Sequence, residues 1–224
     1  MSVQPHNSSD GSVIAYAAPM VVFALVTALE SYVSNEVYVL LYAAKVVAVT
    51  LTLVRYRDTL RDIRPSWLVI GLALLVGVLV FAQWILLDTW LPYPHLGNRA
   101  GFDPWTQLKD SRLVGAFLFV RIYGLVLLVP VMEELFMRSF LLRYLTDADF
   151  LSVPIGRFSS MAFWMVVGVS AIAHPEWLAA AVTACAYGWL LYRTRSLFAT
   201  IVAHAVTNGA LGIYILVSHN WQYW

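Results

Sequence analysis

Six polar side chains able to do acid–base or hydrogen-bond chemistry lie in apolar stretches of this 224-residue chain, grouped in three short segments. The densest is PVMEELFMRSFLLRYL, residues 130–145, which holds Glu133, Glu134 and Arg138. Glu134 and Arg138 are four residues apart, so on a helix they share a face and can pair, which lowers the cost of taking either out of water. Glu133 is turned about 100° away and has no such partner in sequence, and a carboxylate placed there suits a general base near neutral pH. The second segment is SAIAHPEW, residues 170–177, where His174 closes an apolar run and Pro175 stops the helix from continuing normally. The third is SLFATIVAHAVTNGA, residues 196–210, where His204 and Asn208 share a helical face in the middle of an apolar run. Both donate hydrogen bonds from neutral side chains, and two such donors aimed at one point would hold a developing oxyanion. Together the segments suit water activation with oxyanion stabilisation. Glu133, His174 and His204 also form a candidate zinc set, although no HExxH is present. Each segment has a plainer reading too. Glu134 and Arg138 would be a salt bridge at a membrane edge with Glu133 solvated, His174 would bond exposed carbonyls at a helix end, and His204 and Asn208 would hydrogen-bond between helices.

The elements that must carry these residues follow from composition. The chain is 61% hydrophobic and 12% charged, against roughly 45–50% and 25% in soluble domains. That apolar content supplies about seven spans of roughly 20 residues each. It excludes a disordered chain. A net charge of +1 excludes a nucleic-acid binder, and the single Cys185 excludes a disulfide scaffold. The expected fold is all-α, a polytopic integral membrane helix bundle in one domain over residues 1–224. The apolar runs are Ser12–Val33, Val37–Val54, Trp67–Leu87, Arg112–Leu145, Phe158–Ala173, Trp177–Tyr192 and Leu197–Val217. The first follows eleven polar residues without Lys or Arg and is too long for a signal peptide, so it reads as a retained span. Residues 88–111 form a loop rich in Pro, Gly, Asp and Trp that also holds Arg99 and Lys109. The run from Arg112 to Leu145 exceeds one membrane thickness, so it is expected to tilt, to kink near Pro130 or to extend beyond the bilayer.

With seven spans the Arg-bearing loops, residues 55–64, 143–157 and 193–195, fall on one side, which the positive-inside rule makes cytoplasmic. The N-terminus is then inside and the tail HNWQYW outside. Simple counting places Glu133 towards one end of its span and His174 towards the opposite end of the next. For them to meet, the long span must start near Arg121, and Pro175 must break its helix within the membrane around a water-filled cavity. Arg121 and Lys45 are expected to pair with Glu133 or Glu30, or to snorkel. His6, His95 and His219 are expected to be solvated, and Cys185 to sit in small-residue packing between helices. No internal repeat of fixed period is visible.

The residues also resemble a known family. EELFMR fits the EExxxR motif of the type II CAAX prenyl endopeptidases and their bacterial relatives, the CAAX protease and bacteriocin-processing family. Residues 186–209, AYGWLLYRTRSLFATIVAHAVTNG, resemble that family's late region, in which a Gly-containing span and a basic turn lead to HxxxN. His174 stands in the place of the middle histidine, where the motif is normally FxxxH; Ser170 replaces the Phe. The likeness covers residues 112–217, the family-like core of the domain. The start, AYAAPMVVFALVTALES, is similar to the CAAX prenyl protease-related subgroup found beside exosortase sorting systems in Gram-negative bacteria.

This resemblance implies an intramembrane endopeptidase of the bacterial inner membrane. It would hydrolyse a peptide bond of a membrane-anchored protein or peptide, with the lipid bilayer and an exosortase-type sorting system as partners and no nucleic acid. It implies that Glu133 activates water with help from His174, that Glu134 and Arg138 shape the site, and that His204 and Asn208 form the oxyanion hole. A Glu base and neutral donors suffice for this chemistry, and a divalent metal such as zinc on Glu133, His174 and His204 is the alternative. The competing functions are a non-catalytic membrane scaffold or immunity protein, and a small-solute or proton transporter.

Overall fold

A computed structural model describes residues 7–97 and 101–224, with side chains from residue 11 onward. His6 and Arg99 lie outside the described residues. The principal helices are α1 (Asn7–Glu30), α2 (Asn35–Arg55), α3 (Ile70–Trp90), α4 (Ser111–Tyr144), α5 (Ser160–Ile172), α6 (Trp177–Thr194) and α7 (Leu197–Ser218). No strand occurs among the described residues. Asp110, Ser159 and Ser196 start α4, α5 and α7 by accepting a hydrogen bond from a backbone N–H of the first turn, the usual role of these residue types at that position. Large apolar side chains such as Leu40, Leu68, Phe119 and Val217 face outward and are mostly exposed, which suits contact with lipid.

Five helical stretches are long and apolar enough to cross a membrane: Gly11–Glu30, Asn35–Arg55, Trp67–Trp90, Ser111–Tyr144 and Leu197–Ser218. The expected seven are therefore reduced to five on this criterion. The shortfall lies in α5 and α6. Thirteen residues of α5 rise only about 20 Å, against a hydrocarbon core of about 30 Å. The α6 sequence dilutes its apolar content with Thr183, Tyr187, Gly188 and Arg193.

The seven helices nevertheless alternate in direction between two ends. At one end all three Arg-bearing loops meet: Arg143 bridges to Asp62 at 2.7 Å, and the backbone at Gly156 lies against Arg195. At the other end Asn35 bonds Gln107, Trp177 Nε1 donates to the Pro94 carbonyl at 2.9 Å, and Trp105 packs on Trp221. The tail is fastened there by Tyr223, whose hydroxyl donates to Asp88. Burial and that hydrogen bond push the Tyr223 phenol up to about 12.

One glycine decides how closely the helices approach. A Cβ at Gly77 on α3 would lie 2.5 Å from the Ala203 carbonyl on α7. Since neither backbone can give way without separating the helices, Gly77→Ala is expected to cost about 1–3 kcal/mol. Thermal unfolding of the detergent-solubilised protein checks this; an unchanged midpoint would mean that the two helices part readily.

Over its 34 residues α4 would extend about 51 Å. It stays helical through Pro130. Two π-helical segments, Gly124–Leu128 and Leu135–Leu141, interrupt the α register on either side of it. In the first, the Val129 N–H reaches back to the Gly124 carbonyl. In that register the next carbonyl, Leu125, would take its bond from residue 130. Pro130 has no N–H, so the Leu125 carbonyl is left free.

Candidate active site

Between the two π segments α4 presents Glu133 and Glu134 to α7. Glu134 is fully buried, and Arg138 holds it through an Nη1–Oε1 contact of 3.2 Å, the pairing the i,i+4 spacing predicts. The same Glu134 oxygen also lies 3.0 Å from His204 Nδ1. A carboxylate only accepts, so the proton between them belongs to Nδ1, and in a neutral imidazole Nε2 carries the lone pair. That Nε2 faces Glu133 Oε2 at 3.9 Å. The gap is too long for a direct hydrogen bond and wide enough for one water bonded to both atoms. Glu133 and His204 keep 17% and 12% of their side-chain surface exposed, whereas Glu134 keeps none.

Asn208, one turn after His204, donates from Nδ2 to the Leu125 carbonyl at 2.9 Å. It thereby satisfies the acceptor that Pro130 leaves free. This bond fixes the amide's orientation and leaves its second N–H to act elsewhere. His204 gives its Nδ1 proton to Glu134, so of the two residues expected to donate to one point, His204 has only its Nε2 side left and Asn208 its second N–H.

His174 stands apart from this cluster. It follows the end of α5, its Nδ1 lies 2.9 Å from the Ser170 carbonyl, and its ring meets Trp84 edge-on at 5.8 Å between centroids. The Pro175 carbonyl accepts from Leu96 of the 88–97 loop, which places this turn at the end of the bundle opposite the Arg-bearing loops. On α3, Gly77 is level with Ala203, and the rise from Gly77 to Trp84 is roughly 10 Å. Pro175 follows the end of α5, and Glu133 lies eleven residues before the end of α4, about 16 Å along the helix.

The candidate zinc set therefore does not converge. Among the described residues no three His, Cys, Asp or Glu side chains gather to hold a metal ion. In the cluster that does form, Arg138 already supplies the positive charge that Glu134 needs, and a dication would have to sit beside that guanidinium.

The other ionisable groups resolve differently from one another. Lys45 pairs with Glu30 at 2.6 Å and lies over the Phe23 and Tyr42 rings. Arg121 does not reach Glu133; it donates to the Tyr38 hydroxyl at 3.0 Å and lies over Tyr42 and Trp224. His95 is 3.0 Å from Asp88 rather than simply solvated, and His219 is exposed beside Trp105 and Trp221.

Two residues beside the cluster escaped the sequence reading. Tyr187 of α6 lies against His204, and Thr207 of α7 bonds its hydroxyl. The available signal was Thr207 three residues from His204, hence on a neighbouring face.

The family model described as Type II CAAX prenyl endopeptidase Rce1-like matches residues 115–210, a segment that contains all six residues singled out from the sequence. No curated protein and no solved structure matches the chain.

Proposed function

We propose that this chain, whose residues 115–210 match a type II CAAX prenyl endopeptidase family, is an intramembrane endopeptidase acting on a membrane-associated protein or peptide. The observation that carries the reading is the run Arg138–Glu134–His204–Glu133, in which a buried, charge-compensated carboxylate orients an imidazole whose free nitrogen faces a second carboxylate at 3.9 Å. Water between Glu133 Oε2 and His204 Nε2 donates one proton towards each, which directs its oxygen lone pair at a peptide carbonyl brought to the site. As the oxygen attacks the carbonyl carbon, Glu133 takes the proton. The tetrahedral intermediate collapses with cleavage of the C–N bond, and Glu133 returns that proton to the leaving amine. The spare N–H of Asn208 is the donor available to the oxyanion. In this scheme His204 acts on water rather than on the oxyanion, and His174 takes no part in water activation. No step needs a metal ion.

The Arg-bearing end is cytoplasmic by the positive-inside rule. Glu133 lies eleven residues before Tyr144, at the end of α4, so the site is about 16 Å from that end.

Two measurements test the proposal. Cleavage of membrane-anchored peptides by the purified protein in ¹⁸O-labelled water should place ¹⁸O in the new carboxyl group; absence of cleavage across a broad peptide set would favour a scaffold. His204→Ala is expected to lower kcat by at least about a hundredfold, and His174→Ala by far less. Equal losses would restore His174 to the water-activating role.

A further inference from the structure

We infer that Tyr187 is a positioning residue for His204. Its effect on the rate rests on the hydrolytic reading above, whereas its effect on the imidazole does not.

One hydrogen bond, from Nδ1 to Glu134, fixes where His204 reaches but not how its ring is turned about that bond. The angle at which Nε2 faces Glu133 must therefore be set by packing. Tyr187 supplies the surface. It is 1% exposed, and its ring centroid lies 5.4 Å from that of His204 with 35° between the planes. The Arg138 guanidinium lies over the same ring at 5.6 Å. One aromatic ring thus packs against both groups that hold Glu134.

The ring itself is anchored at its far tip. The Tyr187 hydroxyl donates to Thr207 Oγ1 at 2.7 Å. Thr207 in turn shares its own proton between the Gly77 carbonyl at 2.8 Å and the Ala203 carbonyl at 3.0 Å. Gly77, Tyr187 and Thr207 belong to α3, α6 and α7, so the relay ties three helices at the level of the imidazole. A buried phenol without an acceptor is costly, which makes the Thr207 hydroxyl the feature that pins the ring.

The test uses the full chain with Tyr187→Phe, Thr207→Val, the double variant and Thr207→Ser. Tyr187→Phe keeps the ring and removes the pin; Thr207→Val removes the pin's acceptor; Thr207→Ser keeps it. The expected result is a fall in kcat of about tenfold for each of the first two with KM unchanged. The double variant should be no worse than Thr207→Val, and Thr207→Ser should stay close to wild type. In parallel, ¹⁵N spectra of imidazole-labelled protein, with His204 assigned by its own substitution, should show one Nδ1–H tautomer in the wild type. The two single variants should show mixed or broadened signals. An unchanged His204 spectrum in Tyr187→Phe and Thr207→Val would overturn the inference, even if those variants are less stable. Should the wild type hydrolyse no peptide, the hydrolytic reading fails on its own and the spectra still decide the role of Tyr187.

Discussion

Glu133→Gln is expected to abolish hydrolysis, lowering kcat by about a thousandfold or more while leaving the thermal midpoint near that of the wild type. The substitution is isosteric, and Glu133 retains 17% exposure and no direct hydrogen bond to His204, so little of the fold depends on its charge. What it removes is the carboxylate that takes a proton from water and then gives it to an amine. The imidazole Nε2 still faces the water, so a residual rate remains, and general-base contributions of the kind lost run to about 10²–10⁴. Steady-state cleavage of the best peptide found in the ¹⁸O experiment measures the effect. Retention of activity within tenfold would make the imidazole the sole base and reduce Glu133 to a solvated neighbour.

The second large effect belongs to stability. Arg138→Leu strips the guanidinium from a carboxylate whose side chain is wholly buried. Removing one partner of a buried pair leaves an uncompensated charge and costs about 3–5 kcal/mol. The remaining hydrogen bond from neutral His204 Nδ1 does not cancel the charge on Glu134. That happens only if the imidazole takes up a second proton, and a protonated imidazole has no lone pair for water. Arg138→Leu should therefore lose activity together with stability. Changing Glu134 to Leu in the same chain should recover much of the stability, since a well-packed apolar pair replaces the ionic one, but none of the activity. Unfolding of both variants in detergent checks this. A loss below about 1 kcal/mol in Arg138→Leu would mean that Glu134 is held neutral and needs no counter-charge.

The Glu134–Arg138 pair was legible in the sequence because helical spacing alone brings residues four apart together. The clustering of the Arg-bearing loops at one end was legible for a similar reason: it needs only the count and alternation of apolar runs. Other features depend on relations between helices that no single run encodes. His174 was placed correctly in its own segment, yet its distance from Glu133 depends on how far along the bundle α5 ends, and that is set by the 88–97 loop receiving Pro175. The partnership of His204 with Glu134 rather than Asn208 depends on the register between α7 and α4. Tyr187 is one of several aromatics in an apolar stretch, and its sequence context does not distinguish it from lipid-facing rings. Of the seven runs, α5 and α6 fall outside the length and hydropathy of a full span, the first because it is short and the second because Thr183, Tyr187, Gly188 and Arg193 dilute it.

The free carbonyl at Leu125 has a consequence for how this chain can vary. It exists because position 130 is a proline, and it is answered by an amide far away in sequence, at Asn208. A residue with an N–H at 130 would compete for the same acceptor and release Asn208 to turn. Conversely, an apolar residue at 208 would strand the carbonyl unless 130 regained its donor. The two positions therefore constrain each other like the halves of a lock. A substitution harmful at one should be partly rescued by the right change at the other, and their costs should not add.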